Sequence, residues 1–285
     1  MKVLVTGVKG QLGYDVVKEL EKRGHQPTGV DREEMDLMNN ESIRTVIMAL
    51  KPESIIHCAA YTAVDKAEEE QEICYQINSE AVKVIAECAK ELDAKLVYIS
   101  TDYVFDGTKD GEYVETDLPN PISVYGASKL RGEQYIQSIL EKYYIARTSW
   151  VFGINGHNFI KTMRRLGTER EALTIINDQV GSPTYTADLA PLLVDMMETD
   201  KYGVYHATNE DFCSWYEFAN EIFEQSGIEV KTNPITTDQY PTAAKRPLNS
   251  RLNKDKLKKA GFRTLQTWEQ ALEQYIQILN QSINN

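Results

Sequence analysis

Short apolar segments alternate with longer amphipathic ones through the first half of the chain. Residues 2–6 form a short strand-like segment whose apolar residues are 3–5, and apolar residues then recur at helical spacing at positions 12, 16, 17 and 20. This alternation is typical of βαβ units, whose strands form a parallel sheet. It predicts further strands at 29–31, 55–59, 96–100 and 144–148, and helices near 42–50, 78–92 and 125–140. We therefore predict an α/β fold with a Rossmann-type, doubly wound parallel sheet.

The pattern changes after residue 150, where the predicted elements become shorter. Residues 173–177 and 203–208 are strand-like, whereas 214–225 and 267–279 are helical. We expect one domain at 1–150 and mainly a smaller second lobe at 151–285, with room for part of the later chain to return to the sheet. The segment 233–249 carries three prolines and has no regular pattern, which is typical of a binding loop.

Composition and charge narrow the class of protein. A hydrophobic fraction of 42% and a charged fraction of 26% over 285 residues are those of an ordinary globular protein. The formal net charge of −12 opposes binding to nucleic acid or to anionic membranes. No apolar run approaches the ~20 residues of a membrane span, so we expect a cytoplasmic protein. The four cysteines, Cys58, Cys74, Cys88 and Cys213, form no Cys-x-x-Cys pair and are predicted to be reduced thiols.

A glycine-rich turn joins the first predicted strand to the first predicted helix. Its sequence is Thr-Gly-Val-Lys-Gly-Gln-Leu-Gly at residues 6–13. The glycines Gly7, Gly10 and Gly13 let the backbone approach a ligand, and a helix N-terminus favours anions. In this place the turn predicts a site for the pyrophosphate of a dinucleotide, so 1–150 is the predicted dinucleotide-binding domain.

The residues after the second predicted strand bear on the choice of dinucleotide. Asp31 is placed to accept hydrogen bonds from the adenosine ribose hydroxyls, which favours NADH. Arg32 follows it directly and suits a 2′-phosphate, which favours NADPH. Both cofactors therefore stay open. Asp36 and Leu37 are candidates to flank the adenine. The alternative interpretation of Asp36 is an acidic residue in an exposed loop.

The strongest chemical signal lies at residues 125–129, Tyr-Gly-Ala-Ser-Lys, after a Ser-Thr pair that ends the fourth predicted strand. Tyr125 and Lys129 are four residues apart and share one face of a helix. A phenol with a pKa of ~10 is a weak acid-base group at neutral pH, and a nearby ammonium favours its ionised form. Together with Thr101 and the glycine turn, this pair predicts a catalytic tyrosine.

These segments resemble the extended short-chain dehydrogenase/reductase superfamily, and more closely its dTDP-4-dehydrorhamnose reductases. The similarity covers nearly the whole chain and rests on long runs as well as on the glycine turn. The matching runs are 6–13, Ala-Ala-Tyr-Thr-Ala-Val-Asp-Lys-Ala-Glu at 59–68, Ser-Thr-Asp-Tyr-Val-Phe-Asp-Gly at 100–107, 125–129, Arg-Thr-Ser-Trp-Val at 147–151, 176–184 and 246–252.

The resemblance implies reduction of the 4-keto group of a dTDP-sugar by NADPH or NADH, with a product used for cell-surface polysaccharide. It implies a catalytic triad of Thr101, Tyr125 and Lys129. It also implies cofactor contacts along residues 10–12, Asp31, Asp36, Leu37, Ala60, Tyr61 and Thr62, and sugar-nucleotide contacts at Thr101, Asp102, Tyr125 and Trp150. Trp150 is also read as a core residue, and Asp102 as a cap of the strand end.

Two further residues refine this interpretation. Arg246 lies in the proline-containing segment, and its fork of donors suits the oxygens of a diphosphate, although an exposed arginine is an equal interpretation. Related 4,6-dehydratases carry a glutamate base in the place of Tyr103. Without that base, hydride transfer with one proton from a tyrosine is what remains, which is ketone reduction.

Alternatives from other classes stay open. One is an epimerase or another nucleotide-sugar ketoreductase, which differs in the residues of the second lobe. Another is a non-catalytic subunit, because the regulatory subunit of methionine adenosyltransferase is similar to these reductases. A purely binding role does not require Thr101, Tyr125 and Lys129 together.

The resemblance also raises the question of a metal. Some members of the family form dimers bridged by Mg²⁺, held by an acid after the glycine turn and two acids one helical turn apart. The corresponding positions here are Asp15, Asp188 and Leu192, and leucine offers no oxygen ligand. We therefore expect no metal site, and a monomer or a homodimer that forms without metal.

Overall fold

The structure, a computed structural model, describes residues 1–283. Its first half contains β1 (Lys2–Thr6), α1 (Gln11–Lys22), β2 (Gln26–Val30), α2 (Asn40–Leu50), β3 (Ser54–His57), α3 (Val64–Ala67), α4 (Gln71–Tyr75), α5 (Ala81–Glu91), β4 (Lys95–Thr101), α6 (Val124–Ile139) and β5 (Tyr143–Thr148). Its second half contains β6 (Val151–Phe152), α7 (Phe159–Glu169), β7 (Ala172–Ile176), β8 (Val180–Gly181), β9 (Thr184–Tyr185), α8 (Thr186–Met197), β10 (Gly203–His206), β11 (Cys213–Ser214), α9 (Trp215–Ser226), β12 (Lys231–Ile235), α10 (Asp255–Lys259) and α11 (Trp268–Ile283).

Six parallel strands form the central sheet, in the order β10, β5, β4, β3, β1, β2. The inner strands read as almost continuous apolar runs because both of their faces are covered. On one face they pack against α1 and α8, and on the other against α2, α5 and α6. The predicted doubly wound parallel sheet is confirmed. Its carboxyl ends, where such sheets bind their ligands, carry the conspicuous polar residues of the sequence.

The second half of the chain contributes to the sheet as well as to a lobe of its own. Strand β10 pairs with β5, and α8 packs against α1, so these elements lie with the sheet. Around them, α7, α9 and α11 share a separate apolar core with many aromatic rings. Three short strand pairs, β6 with β9, β7 with β12 and β8 with β11, complete this lobe. The division at residue 150 itself stays a prediction.

Two segments differ from the sequence expectations. The second strand is β2, Gln26–Val30, so Asp31 directly follows the strand instead of ending it. The segment 233–249 is not structureless throughout, because β12 runs to Ile235 in parallel with β7 and a 3₁₀ turn covers Thr237–Gln239. Pro234 fits within β12 because β12 is an edge strand, where a missing N–H is tolerated.

Two further expectations concern the cysteines and the membrane. All four cysteines are free thiols, and Cys58 is the most accessible of them. Within the part of the chain that the structure describes, every helix is too short or too polar to cross a bilayer.

Candidate active site

The glycine-rich turn between β1 and α1 is held in a shape that larger residues do not fit. Gly7 has a φ of +71°, and a Cβ on it would lie 2.9 Å from the backbone of Ala59. A Cβ on Gly13 would collide with the carbonyl oxygen of Gly7. The turn is closed by the Gly10 N–H, which donates to the Gly7 carbonyl oxygen at 3.0 Å. Helix α1 therefore begins directly behind a compact turn, the arrangement that fits a pyrophosphate.

A cavity of about 450 Å³ lies beside this turn, between the ends of β1, β2 and β3. The Asp31 carboxylate is oriented there by two backbone donors, the N–H of Lys9 at 3.0 Å and of Arg32 at 2.8 Å. Tyr61 donates its hydroxyl to Glu70 at 2.6 Å, and this bond raises the pKa of the phenol to about 12. The predicted cofactor residues that line this cavity are Gly7, Asp31, Arg32, Asp36, Leu37, Ala60 and Tyr61.

A larger cavity of about 710 Å³ continues from the glycine turn across the carboxyl ends of β3, β4 and β5 to the second lobe. It brings most of the predicted site residues together. Its lining includes Gly7, Gly10, Gln11, Leu12, Ala60, Thr62, Thr101, Asp102, Tyr125, Lys129 and Trp150. Gly13 and Arg246 lie outside both linings. The two cavities together form one continuous path along the glycine turn, which fits an elongated dinucleotide followed by a second ligand.

Gln11 holds the second lobe against the glycine turn. Its side-chain oxygen accepts hydrogen bonds from the Gly153 N–H at 2.8 Å and from Asn158 Nδ2 at 3.0 Å. Asn155 adds a bond to the carbonyl oxygen of Lys9 at 2.8 Å. The loop between β6 and α7 is therefore fastened over the turn by side-chain amides.

Thr101 and Tyr125 meet at the end of β4. Ser123 caps α6 by accepting from the Gly126 N–H, so Tyr125 stands in the first turn of that helix. The Thr101 hydroxyl donates to Asp102 Oδ1 at 2.9 Å. Burial raises the pKa of Tyr125 well above its ordinary value, while a hydrogen bond with Thr101 opposes that shift. The phenol therefore stays protonated at neutral pH in the free protein and is available as a proton donor.

Lys129 lies one helical turn after Tyr125 and is 2% exposed. Burial lowers the pKa of its ammonium to about 7, and the nearby Glu133 carboxylate opposes this. Its Nζ lies 4.0 Å from the centroid of the Tyr98 ring, over the face of that ring. The effect of Lys129 on the phenol that the sequence suggested is not what sets the pKa of Tyr125 here, since burial, Thr101 and Asp102 dominate.

Asp102 combines burial with an unused acceptor. Burial raises the pKa of its carboxyl group to about 6. Its buried Oδ2 atom makes no hydrogen bond of good geometry with the described residues, although the Ser250 side chain is near enough to oppose the effect of burial on the carboxyl pKa. A buried acceptor that lines a cavity is expected to find its donor in a ligand. A sugar hydroxyl supplies such a donor.

Arg246 lies beside this cavity and forms a bidentate pair with Asp65. Its Nη2 lies 2.6 Å from Asp65 Oδ2 and its Nη1 lies 3.1 Å from Oδ1. Arg246 is also within hydrogen-bond reach of the Tyr103 hydroxyl, and the Tyr103 ring packs edge-on against Tyr125 at 5.7 Å. The guanidinium therefore lies next to Tyr103, which lines the larger cavity, without lining that cavity itself.

The residues considered for a metal have other partners. Asp15 accepts a hydrogen bond from the Thr186 hydroxyl at 2.5 Å. Asp188 accepts from the side-chain amides of Asn209 at 2.7 Å and Gln266 at 3.0 Å, and Leu192 is buried in the core. Among residues 1–283, no group of three or more His, Cys, Asp or Glu side chains is placed to hold a metal ion.

Comparison with known proteins agrees with this geometry. The family model described as the RmlD substrate binding domain matches residues 1–281. A dTDP-4-dehydrorhamnose reductase of Aggregatibacter actinomycetemcomitans is 41% identical over 95% of this chain and 97% of its own. This chain belongs to the dTDP-4-dehydrorhamnose reductase family. The resemblance predicted from the sequence is confirmed.

Two more relatives extend the match to the reductase family. The crystal structure of the dTDP-4-dehydrorhamnose reductase of Bacillus anthracis in complex with NADP has a TM-score of 0.93 and 42% identity, covering 96% of this chain and 98% of that chain. A spore coat polysaccharide biosynthesis protein of Bacillus subtilis is 38% identical over 97% of both chains.

The sequence analysis did not single out several residues that contact the predicted site residues. Glu133 forms a buried ion pair with Arg147 at 2.6 Å and accepts from Ser100 at 2.5 Å. A signal for it was present, since Glu133 follows Lys129 by one more helical turn on the same face. Trp215 stacks on Trp150 and lines the larger cavity, but nothing in the local sequence indicated that contact.

Proposed function

We propose that this protein is an NAD(P)H-dependent reductase that converts dTDP-4-dehydro-L-rhamnose to dTDP-L-rhamnose, a precursor for cell-surface polysaccharide. The observation that carries the proposal is the meeting of Thr101, Tyr125 and Lys129 in a cavity that starts at the glycine turn. Membership of the reductase family supports the same reaction.

The catalytic roles follow from the geometry of three side chains. NADPH or NADH, when bound, supplies the hydride that is added to C4 of the sugar. Tyr125 is held protonated by burial and gives its proton to the keto oxygen. Thr101 lies beside that hydroxyl, and its own hydroxyl, once it turns from Asp102 Oδ1, donates to the same oxygen. Lys129 would hold the nicotinamide ribose hydroxyls, and its ammonium would place positive charge near the Tyr125 hydroxyl.

The cofactor is held by the residues of the two cavities. The glycine turn, with Gly7, Gly10 and Gly13, receives the pyrophosphate, and Gln11 and Leu12 border it at the start of α1. Asp31 and Arg32 face the adenosine ribose. Asp36 and Leu37 are assigned to the adenine. The remaining cofactor contacts are assigned to the segment after β3, at Ala60, Tyr61 and Thr62.

The sugar nucleotide is bound between the carboxyl edge of the sheet and the second lobe. Asp102 offers its unpartnered Oδ2 to a sugar hydroxyl. Trp150 packs on the sugar, and Arg246 reaches the diphosphate by sharing its guanidinium between Asp65 and the ligand. Tyr103, which stands where related dehydratases have a glutamate, supplies no base to remove a proton from the sugar ring.

We further propose that the enzyme is cytoplasmic and that it acts as a monomer or as a homodimer formed without metal. NADPH and NADH are both accepted, because Asp31 and Arg32 have opposite effects on a 2′-phosphate.

The deciding experiment follows oxidation of NADPH or NADH by the purified protein with dTDP-4-dehydro-L-rhamnose, and identifies the product by mass spectrometry and NMR. Stoichiometric formation of dTDP-L-rhamnose supports the proposal. Interconversion of sugars without net cofactor oxidation indicates an epimerase instead. Inactivity with all 4-keto sugars tested, together with capture of a methionine adenosyltransferase, indicates the regulatory subunit.

A further inference from the structure

Two indole rings lie face to face in the wall of the larger cavity. The ring centroids of Trp150 and Trp215 are 3.7 Å apart and the ring planes differ by 14°. Both residues are half-buried, and both line the cavity that also contains Tyr125. Large aromatic pairs are usually enclosed in a core, whereas this pair borders open space near the reacting groups.

The backbone of Trp150 is unfavourable for so large a residue. Its φ is +48°, in the left-handed region that glycine normally occupies. A Cβ on Gly181 would lie 3.0 Å from Cε2 of the Trp150 indole, so glycine at 181 leaves room for the ring. Such strain persists only where the surroundings enforce it, and it is concentrated at ligand sites. The surroundings of Trp150 therefore hold its indole in one orientation.

Trp215 is the rigid part of this arrangement. It is the first residue of α9, directly after the cap Ser214. Ser214 accepts from the Glu217 N–H at 3.1 Å, and Glu217 accepts in return from the Ser214 N–H at 2.7 Å. The Phe159 ring lies 4.6 Å from the Trp215 ring. This capping box and this aromatic neighbour set the position of the indole against which Trp150 stacks.

We propose that Trp215 is a positioning residue for the sugar nucleotide. It backs the Trp150 indole, so that this strained side chain presents its ring to the sugar of the bound dTDP-sugar. The inference rests on the proposed function, and it adds a residue from α9 to the site. The pyrophosphate and adenosine of the cofactor would lie along the glycine turn, away from Trp215, so we expect the affinity for NADPH not to depend on Trp215.

The test compares Trp215→Ala, Trp215→Phe and the matched control Trp268→Phe. Trp268 is the third tryptophan of the chain and is buried beside Phe218, away from the cavity lining. Steady-state kinetics give kcat and the KM of each substrate, and thermal melting shows that each variant is folded. We expect Trp215→Ala to raise the KM of the dTDP-sugar about tenfold, the order of magnitude of one stacked aromatic contact. Trp215→Phe recovers most of this loss, and the KM of NADPH stays unchanged.

Tryptophan fluorescence gives a second measurement that does not depend on turnover. Titration with dTDP-L-rhamnose changes the emission of the wild type and of Trp268→Phe, because the stacked pair lies at the site. In Trp215→Phe the change persists through Trp150, and in Trp215→Ala it needs about tenfold more ligand.

Two results overturn the inference while leaving the proposed function intact. One is a wild-type KM for the dTDP-sugar in folded Trp215→Ala. The other is an equal rise of both KM values, which indicates general disorder of the site. If Trp215→Ala does not fold, Trp215→Leu takes its place in the same measurements. Failure of the proposed function appears differently, as a wild-type protein without ketone reduction.

Discussion

Asp65 and Arg246 join the two halves of the chain across 181 positions of sequence. Asp65 lies on α3 beside the sheet, and Arg246 lies in the segment that follows β12. The Asp65 carboxylate also accepts from the Ala244 N–H at 3.1 Å, so it holds the backbone of the segment as well as the guanidinium. Arg246 holds the pKa of Asp65 below its ordinary value, mainly by their hydrogen bond. The segment 240–248 is thereby fastened beside the Tyr103 and Tyr125 rings.

We expect Asp65→Ala to loosen this segment and to weaken sugar-nucleotide binding. The pair is partly exposed, and such pairs contribute about 0.2–1 kcal/mol, so the KM of the dTDP-sugar rises up to about fivefold. Trypsin cleavage after the exposed Lys245 becomes faster. Glu169→Gln, which breaks the exposed Arg165–Glu169 pair on α7, is the control and changes neither value. Unchanged cleavage after Lys245 in Asp65→Ala contradicts the prediction.

Tyr125→Phe removes the proton donor and keeps the ring. A positioned general acid contributes about 10²–10⁴ in rate, so kcat falls by that factor while NADPH binding, measured by fluorescence, is retained. Tyr103→Phe is the matched control, because its ring packs edge-on against Tyr125 at 5.7 Å and its hydroxyl faces Arg246. Turnover at the wild-type rate in Tyr125→Phe refutes the assignment.

The sequence predicted the sheet well because each βαβ unit is encoded locally, by apolar runs and by helical spacing over a few residues. The placement of Tyr125 and Lys129 on one face of α6 was predictable for the same reason, because four residues of helix separate them. The glycine turn could be located from its sequence and from its place directly after the first predicted strand.

Contacts between distant elements were not predictable in this way. The pairs Asp65–Arg246, Glu133–Arg147 and Trp150–Trp215 depend on how α3, β5 and α9 pack against other elements, and no local period encodes that packing. The acid-base balance of Tyr125 was also missed, because desolvation depends on the closed surroundings and not on the Tyr-x-x-x-Lys spacing.

The pH dependence of kcat/KM follows from Asp102 and Lys129. Burial raises the pKa of Asp102 to about 6 and lowers that of Lys129 to about 7. The carboxylate form of Asp102 is present above pH 6 and the ammonium form of Lys129 below pH 7, so activity is highest between these values. Tyr125 stays protonated throughout this range because burial raises its pKa.

Variants separate the two limbs of this pH profile. Asp102→Asn loses the fall on the acidic side and keeps the fall on the alkaline side, at lower overall activity. Lys129→Arg, whose side chain stays charged, loses the alkaline fall. A profile of kcat/KM that is flat from pH 5 to pH 9 in the wild type rules out both assignments.

Cofactor preference is expected to depend on Asp31. Its carboxylate accepts from the backbone N–H groups of Lys9 and Arg32, which orients it in the cavity where we propose that the adenosine ribose binds. A 2′-phosphate is repelled by this charge, so Asp31→Ala shifts the ratio of kcat/KM toward NADPH. Glu21→Ala removes one charge from the exposed face of α1 and serves as the control. An unchanged ratio in Asp31→Ala shows that this residue does not contact the ribose.

Metal removal is expected to leave the enzyme active. Both oxygens of Asp188 accept from the Gln266 amide, at 3.1 and 3.0 Å, and Asn209 adds a third bond at 2.7 Å. These N–H donors point their positive ends at the carboxylate, where a cation would need the same oxygens. Asp15 is bound by Thr186, and Leu192 provides no ligand.

Recruiting Mg²⁺ here therefore requires breaking several hydrogen bonds for two carboxylates, and Mg²⁺ gives up its own water reluctantly. We expect kcat and KM to be the same in about 5 mM Mg²⁺, a concentration that saturates weak Mg²⁺ sites, and in excess EDTA. The mass measured by light scattering should also be the same under both conditions. Asp188→Ala is the control. It removes one of the two candidate carboxylates outside the larger cavity, and its activity should respond to Mg²⁺ and EDTA as the wild type does. A dimer that dissociates and loses activity when Mg²⁺ is chelated would show that the amides of Asn209 and Gln266 yield to the metal.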